Sequence, residues 1–160
     1  MTELNKLLQR LCDADIDFVI VGGFAAMLHG SSMLTRDLDV CALLTDTTIA
    51  KLRETFRDLH PTHRHTPQRL SFLDNPDPGV LLKNVYIQTD LGPLDVMGSI
   101  TGIESFAVLR SHAVPFDLFG RKVFVISLDD LIKAKEALGR NKDLLTAQEL
   151  RVIADKKNNE

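Results

Sequence analysis

The sequence predicts a mixed α/β (α+β) domain, with strands in the middle of the chain and helices at both ends. Three observations carry that prediction. A leucine stripe at helical spacing lies near the start, short β-branched runs punctuated by glycine and proline fill the middle, and a capped helix follows near the end.

Leu4, Leu7, Leu8 and Leu11 recur at i, i+3, i+4 and i+7, so Thr2 to about Cys12 reads as an amphipathic helix. Ile16–Val21 is a short apolar run ending at Gly22-Gly23, a buried strand followed by a turn. Phe24–His29 reads as a short helix closed by Gly30. Leu38–Leu44 is a second buried strand. Thr45-Asp46-Thr47 supplies an N-cap, and Thr48–Leu59 continues as an amphipathic helix.

The segment from His60 to Lys83 is the least regular, with four of the six prolines and three of the five histidines. It predicts a loop around one short strand, Leu70–Leu73. Asn84–Thr89 and Leu94–Met97 pair across the turn "DLGP". Ile103–Leu109 is helical, and Ala113–Leu118 with Lys122–Ile126 forms a hairpin over Phe119-Gly120-Arg121. Ser127 caps a helix with Asp130 at the capping-box position. That helix ends at Leu138 before Gly139, and a last helix covers about Lys142–Asp155. Residues 1–160 read as a single domain, its C-terminal helices starting near residue 128.

The chain has 160 residues, the size of one ordinary domain. Its 44% hydrophobic and 26% charged content exclude a disordered chain. A net charge of -3 argues against general attraction to nucleic acid or an anionic membrane. No run reaches the length of a membrane span, and the polar first residues do not read as a signal peptide. Two cysteines, Cys12 and Cys41, are too few for a disulfide scaffold and fit a reducing cytoplasm. The expectation is a cytoplasmic protein with no membrane partner.

The chemistry concentrates in "FVIVGGFAAMLHGSSMLTRDLDVCALL", Phe18–Leu44. Alternate residues of a strand face the same way, so Asp37 and Asp39 point to one side near the start of theirs. Two carboxylates at that spacing repel each other and resist burial. A hard divalent cation with oxygen ligands resolves the conflict. The glycine turn just upstream lets backbone N–H groups approach an anion. Asp95 sits between Leu94 and Val96 on an otherwise apolar strand, where a charge needs a partner. Three carboxylates suit a two-metal phosphoryl-transfer site.

The segments "VGGFAAMLHG", "TRDLDV" and "LGPLDVM" together resemble the nucleotidyltransferase superfamily of the polymerase-beta type. The C-terminal "SLDDLIKAKEALGRNKDLLTAQEL" is similar to bacterial nucleotidyltransferases grouped with AbiEii-type toxins. The resemblance covers about Phe18–Leu150. It implies a mixed, mostly antiparallel sheet flanked by helices. It also implies transfer of a nucleoside monophosphate from an NTP to a hydroxyl acceptor, assisted by Mg²⁺ as two ions. By that resemblance Gly22 and Gly23 cradle the triphosphate and Lys135 meets it, while Asp37, Asp39 and Asp95 are the catalytic metal ligands. Asp95 would stand beside the acceptor hydroxyl. Arg140, Lys142 and Asp143 match the motif after the lysine. Many relatives carry an arginine where this chain has Met33, and Arg36 is the nearby charge that could replace it. The acceptor is left open between tRNA or other RNA, a protein and a small molecule, and a cognate toxin or antitoxin is a possible partner.

Two alternatives stand beside this reading. A non-catalytic nucleotide-binding or antitoxin-like module would leave the carboxylate repulsion unused. A glycosyltransferase would leave the glycine turn and Asp95 without a role. His60, His63 and His65 have no zinc-ligand spacing and read as a polar loop that could touch the acceptor. His29 reads as a helix cap or a cleft residue, Cys41 as core, and Lys133 and Lys135, without the resemblance, as a solvated helix face.

Overall fold

A computed structural model describes residues 3–76 and 82–159. The chain runs α1 (Leu4–Asp13), β1 (Val19–Val21), α2 (Gly22–Leu28), β2 (Leu38–Cys41) and α3 (Asp46–Phe56), which tightens into one 3₁₀ turn over Arg57–Leu59. Then come β3 (Thr62–His63), β4 (Asn84–Thr89), β5 (Gly92–Met97), α4 (Phe106–His112), β6 (Val114–Leu118), β7 (Arg121–Val125), α5 (Leu128–Leu138) and α6 (Asn141–Asn158).

Among the described residues, seven strands form one sheet in the order β3-β4-β5-β2-β1-β7-β6. Four pairings are antiparallel, and two, β2 with β5 and β1 with β7, are parallel. The parallel pairs lie inside the sheet, as expected for strands covered on both faces. On β2 and β5 the residues Leu38, Val40, Leu94 and Val96 are at most 1% exposed. Burying a side chain of this type stabilises the fold by about 1.5–3 kcal/mol. On that face α1 packs against β2, β5 and β7, and also against α3. On the other face α2 packs against β1, β2 and α5, and α5 pairs with α6.

The caps form as the side chains require. Thr45 Oγ1 accepts from Thr48 N, and Ser127 Oγ accepts from Asp130 N. Gly139 closes α5 with φ +70°, a left-handed residue where glycine carries no steric penalty. The Asp130 carboxylate does not close a capping box. Its side chain is 4% exposed and accepts instead from His112 Nδ1 at 2.9 Å.

Several sequence expectations shift. The strand expected at Ile16–Val21 starts at Val19, and the one expected at Leu38–Leu44 ends at Cys41, with Leu43 55% exposed. The glycines are not a separate turn: α2 begins at Gly22, immediately after β1. The strand placed at Leu70–Leu73 reduces to a single bridge between Ser71 and Thr62, and the edge strand is Thr62–His63. Phe72 is fully buried, but Leu70 is 39% exposed, so the apolar run does not extend a ladder. The helix expected at Ile103–Leu109 starts later because Ser105 Oγ accepts from Val108 N. The second hairpin turns on Phe119-Gly120 alone, both with positive φ, which matches a two-residue hairpin turn. Thr2, where the first helix was expected to start, lies outside the described residues, as do residues 77–81 of the irregular segment. Among the described residues no helix is long and apolar enough to cross a membrane.

Candidate active site

The parallel register of β2 and β5 pairs Asp39 with Asp95, and the antiparallel register of β5 and β4 adds Tyr86 beside them. The period of two that buries Leu38, Val40, Leu94 and Val96 turns both carboxylates to the opposite face. Asp39 is pushed up to about 6, first by burial, then by the charges of Asp95 and Asp37; Lys135 and Arg64 act in the opposite direction. Asp37 stands just before β2 and is exposed, close enough for its charge to be felt by Asp39. Among the described residues, no group of three or more His, Cys, Asp or Glu side chains is arranged to hold a metal ion. The closely associated pair is Asp39 and Asp95, with Asp37 at its rim.

Gly22 is what lets that pair exist. Its φ is +70°, and a Cβ there would collide with the Asp39 carboxylate. Gly23 is different: its Cβ would press on Thr35 at 3.2 Å, and its φ is not left-handed. The two adjacent glycines thus serve different neighbours.

The segment from Gly30 to Asp37 is tied to α6. The Ser31 and Ser32 hydroxyls both donate to Glu149, at 2.5 and 2.6 Å. Those bonds hold the Glu149 carboxyl below its ordinary value. They fix the loop that delivers Asp37 and Asp39.

Two cavities meet at Gly22 and Lys135, which line both. One, of about 280 Å³, is bounded by Gly23, Thr35, Asp39, Arg140, Lys142 and Asp143, and carries three cations. Met33, the position that departs from the resemblance, lies in its wall and is 53% exposed. Arg36 is exposed and does not line it. The other cavity, of about 300 Å³, opens over Met97, Ile126, Leu131 and Ala134, with Asn84, Tyr86 and Ser99 among its polar groups.

Lys135 is not a solvated helix residue. Its side chain is 16% exposed, and its Nζ stands 3.7 Å from Asp143, whose own side chain is 2% exposed. Arg140 Nε donates to the same carboxylate at 2.5 Å. Burial alone would push Asp143 up; the Arg140 hydrogen bond and the charges of Lys135, Arg140 and Lys142 hold it below its ordinary value. Asp143 therefore gathers the cations of the first cavity, a role the sequence left unassigned.

Arg64 is the residue that sequence reading missed. Its Nη1 lies 2.6 Å from Asp95 Oδ1, with both side chains 20% exposed. The contact is a short ion pair between two largely buried side chains, and the same Nη1 also donates to Ile87 O at 3.4 Å. Arg64 follows β3, and its backbone N–H donates to Tyr86 O at 2.9 Å. His65 stacks edge-on against Tyr86 with centroids 4.7 Å apart. His60 and His63 bond instead to Asp90 and to the Asn75 carbonyl, away from the carboxylate pair. His29 is buried, and its Nε2 donates to Ile126 O. Arg64, between His63 and His65 in the proline-rich segment, carried no sequence signal for a long-range ion pair.

The donor set has the chemistry of a hard-cation site: carboxylate oxygens of Asp39 and Asp95, with Asp39 pushed up by burial and by its like-charged neighbours, and with the Asp95 oxygen met by the Arg64 guanidinium.

No family model matches the chain, and no curated protein matches it. Solved structures do. A candidate nucleotidyltransferase from Thermotoga maritima superposes with a TM-score of 0.56 at 17% identity, over 98% of this chain and 96% of the other. The lincosamide antibiotic adenylyltransferase LnuA, bound to lincomycin, gives 0.60 at 13% identity, over 92% and 94%. A nucleotidyltransferase-like antigenic protein from Paracoccidioides brasiliensis gives 0.53 at 15%, over 94% and 72%. The fold is that of the nucleotidyltransferases, as the resemblance implied, and at these identities the likeness is one of fold.

Proposed function

We propose that the protein is a metal-dependent nucleotidyltransferase that moves a nucleoside monophosphate from an NTP to a hydroxyl acceptor. The observation that supports this best is the side-by-side register of Asp39 and Asp95, next to a glycine without which Asp39 would have no room. Asp39 and Asp95, with Asp37 at the rim, are the residues that would hold Mg²⁺. Bound there, the ion would neutralise charge developing on the reacting phosphoryl group. Lys135, Arg140 and Lys142 give the first cavity the charge a triphosphate needs, and Asp143 keeps Lys135 and Arg140 turned toward it. The acceptor oxygen bonds to the α-phosphorus, the bond to the bridging oxygen breaks, and pyrophosphate leaves. By the resemblance, Asp95 would stand beside the acceptor hydroxyl, and in this reading it takes the acceptor's proton once Arg64 has yielded its place. Catalysis is mainly positioning and charge neutralisation.

The fold shared with LnuA, bound to lincomycin, favours a small-molecule acceptor over RNA or protein. The AbiEii-type resemblance of the last two helices adds a toxin or antitoxin protein as a partner to seek by co-purification.

The Arg64–Asp95 contact favours a second reading. A guanidinium lodged permanently at Asp95 would make a non-catalytic nucleotide-binding module of the same fold. One experiment separates the two. The protein is incubated with each α-labelled NTP and cell extract, with and without Mg²⁺. Label should pass to an acceptor only with Mg²⁺, and Asp39→Asn should lower the rate on the order of a thousandfold, several kcal/mol of charge stabilisation. Mg²⁺-dependent NTP binding with no labelled product from any of the four NTPs would leave the binding module.

A further inference from the structure

Resting on the nucleotidyl-transfer reading, we propose that the 300 Å³ cavity between α5 and the β4–β5 face is the acceptor site, and that its acceptor is a neutral, largely apolar small alcohol or phenol. The geometry begins with the reaction. An in-line displacement puts attacking and leaving oxygens on opposite sides of phosphorus. The leaving pyrophosphate belongs among Lys135, Arg140 and Lys142, on the Gly23 side of Gly22. The attacking hydroxyl therefore comes from the other side, where Gly22 and Lys135 border the second cavity. Tyr86, in that cavity's wall, is the register partner of Asp95; Met97 lies two residues beyond Asp95 on the same strand face.

The lining sets the ligand's chemistry. Met97, Ile126, Leu131 and Ala134 make an apolar wall, and the last three are buried. Among the described residues that line it, Lys135 is the only charged one, at the border with the cationic cavity. A polyanionic acceptor such as RNA would need a basic track, and a polycationic one would need carboxylates; among the described residues the cavity wall has neither. Asn84, Ser99 and Thr101 supply uncharged polar contacts. The volume lies at the lower end of small-ligand pockets, about 300–1,000 Å³, and is suited to a ring-sized body.

The test uses the full chain with Mg²⁺ and benzyl alcohol as the probe, read by saturation-transfer NMR. Ser99 is exposed on the loop after β5, so Ser99→Trp should fill the cavity without disturbing the core. Thr101→Trp, also exposed, is the second variant if circular dichroism shows that the first misfolds. Benzyl alcohol should give a signal with the parent and lose affinity about tenfold in either variant, while affinity for a fluorescent ATP analogue changes less than about twofold. No signal with the parent, or an unchanged signal in both variants, overturns the acceptor site. An equal loss of ATP-analogue affinity assigns the cavity to the nucleoside and also overturns it. A parent that binds benzyl alcohol in the cavity but no Mg²⁺–ATP analogue overturns the nucleotidyl-transfer reading instead, and the acceptor assignment with it.

Discussion

The two faces of strands β2 and β5 are built from adjacent residues and do opposite work. Leu38, Val40, Leu94 and Val96 are at most 1% exposed beneath α1. Asp39 and Asp95, each between two of them, face the side where α2 and α5 leave two cavities. The first face gains stability from burial. The second carries like charges that burial penalises, and that penalty is the feature a cation can relieve. Neighbouring substitutions should therefore change stability with opposite sign. In urea denaturation without metal at pH 7.5, Leu94→Ala should cost about 2–5 kcal/mol by opening a cavity in a closed face. Asp39→Asn should be neutral or stabilising by roughly 1–3 kcal/mol. A destabilised Asp39→Asn would make the carboxylate structural and erase the contrast.

The pH dependence sharpens the same contrast. Asp39 titrates at about 6 in the folded protein against 3.8 as a free carboxyl. The folded state thus holds its proton more tightly than the unfolded state. Its stabilising contribution is complete below about pH 4 and is lost as pH rises through about 6. At about 1.4 kcal/mol per pH unit, the loss approaches 3 kcal/mol. The difference in unfolding free energy between parent and Asp39→Asn, measured from pH 4 to 7.5 without metal, should fall across that window. A flat difference would mean Asp39 feels neither burial nor its neighbours.

Within the charged face, Lys133 and Lys135 give a smaller comparison. Lys133 is exposed, and Lys135 is held at the junction of the two cavities. Lys135→Ala should weaken NTP binding by about ten- to a hundredfold, roughly 1.5–3 kcal/mol for a charge-assisted contact. Lys133→Ala should change it less than about twofold. Equal small losses in a fluorescent-nucleotide titration would remove Lys135 from the site.

The contrast also explains what the sequence made legible. Alternation in "DLDV" and "LDVM" places core and carboxylates together, because strand period is local information. Thr45, Ser127 and Gly139 announced helix ends for the same reason. The register joining Asp39 to Asp95 across 56 positions was available only through resemblance, since pairing partners leave no local trace. Arg64 and Asp143 were opaque for a related reason. Each acts through a contact with a residue whose nearness depends on the whole sheet or on the α5–α6 pairing. The strand misplaced at Leu70–Leu73 shows the opposite failure, a locally apolar run whose only ladder contact is one bridge.

Arg64 offers the finest test of the charged face, because it is the chain's own cation at Asp95. If Asp95 is a metal ligand, the guanidinium at 2.6 Å must yield to a divalent ion. Metal-free protein then carries a competitor, and metal affinity is lower than the carboxylates alone would give. Arg64→Gln removes the competitor and keeps a polar side chain of similar length. Without metal the variant should melt lower, by roughly 1 kcal/mol for a partly exposed pair, since Asp39 and Asp95 lose one compensating charge. Titrated with Mn²⁺ by electron paramagnetic resonance and without nucleotide, it should bind about tenfold more tightly than the parent. Saturating Mn²⁺ should restore its melting temperature, because any ion that binds only the folded state stabilises it by mass action. The two readouts must move in opposite directions: lower stability without the ion, higher affinity for it. A variant that is less stable and binds Mn²⁺ no better would make Arg64 the permanent counter-charge of Asp95. The charged face would then resemble the closed one, internally satisfied, and the non-catalytic module would be the better reading of the fold.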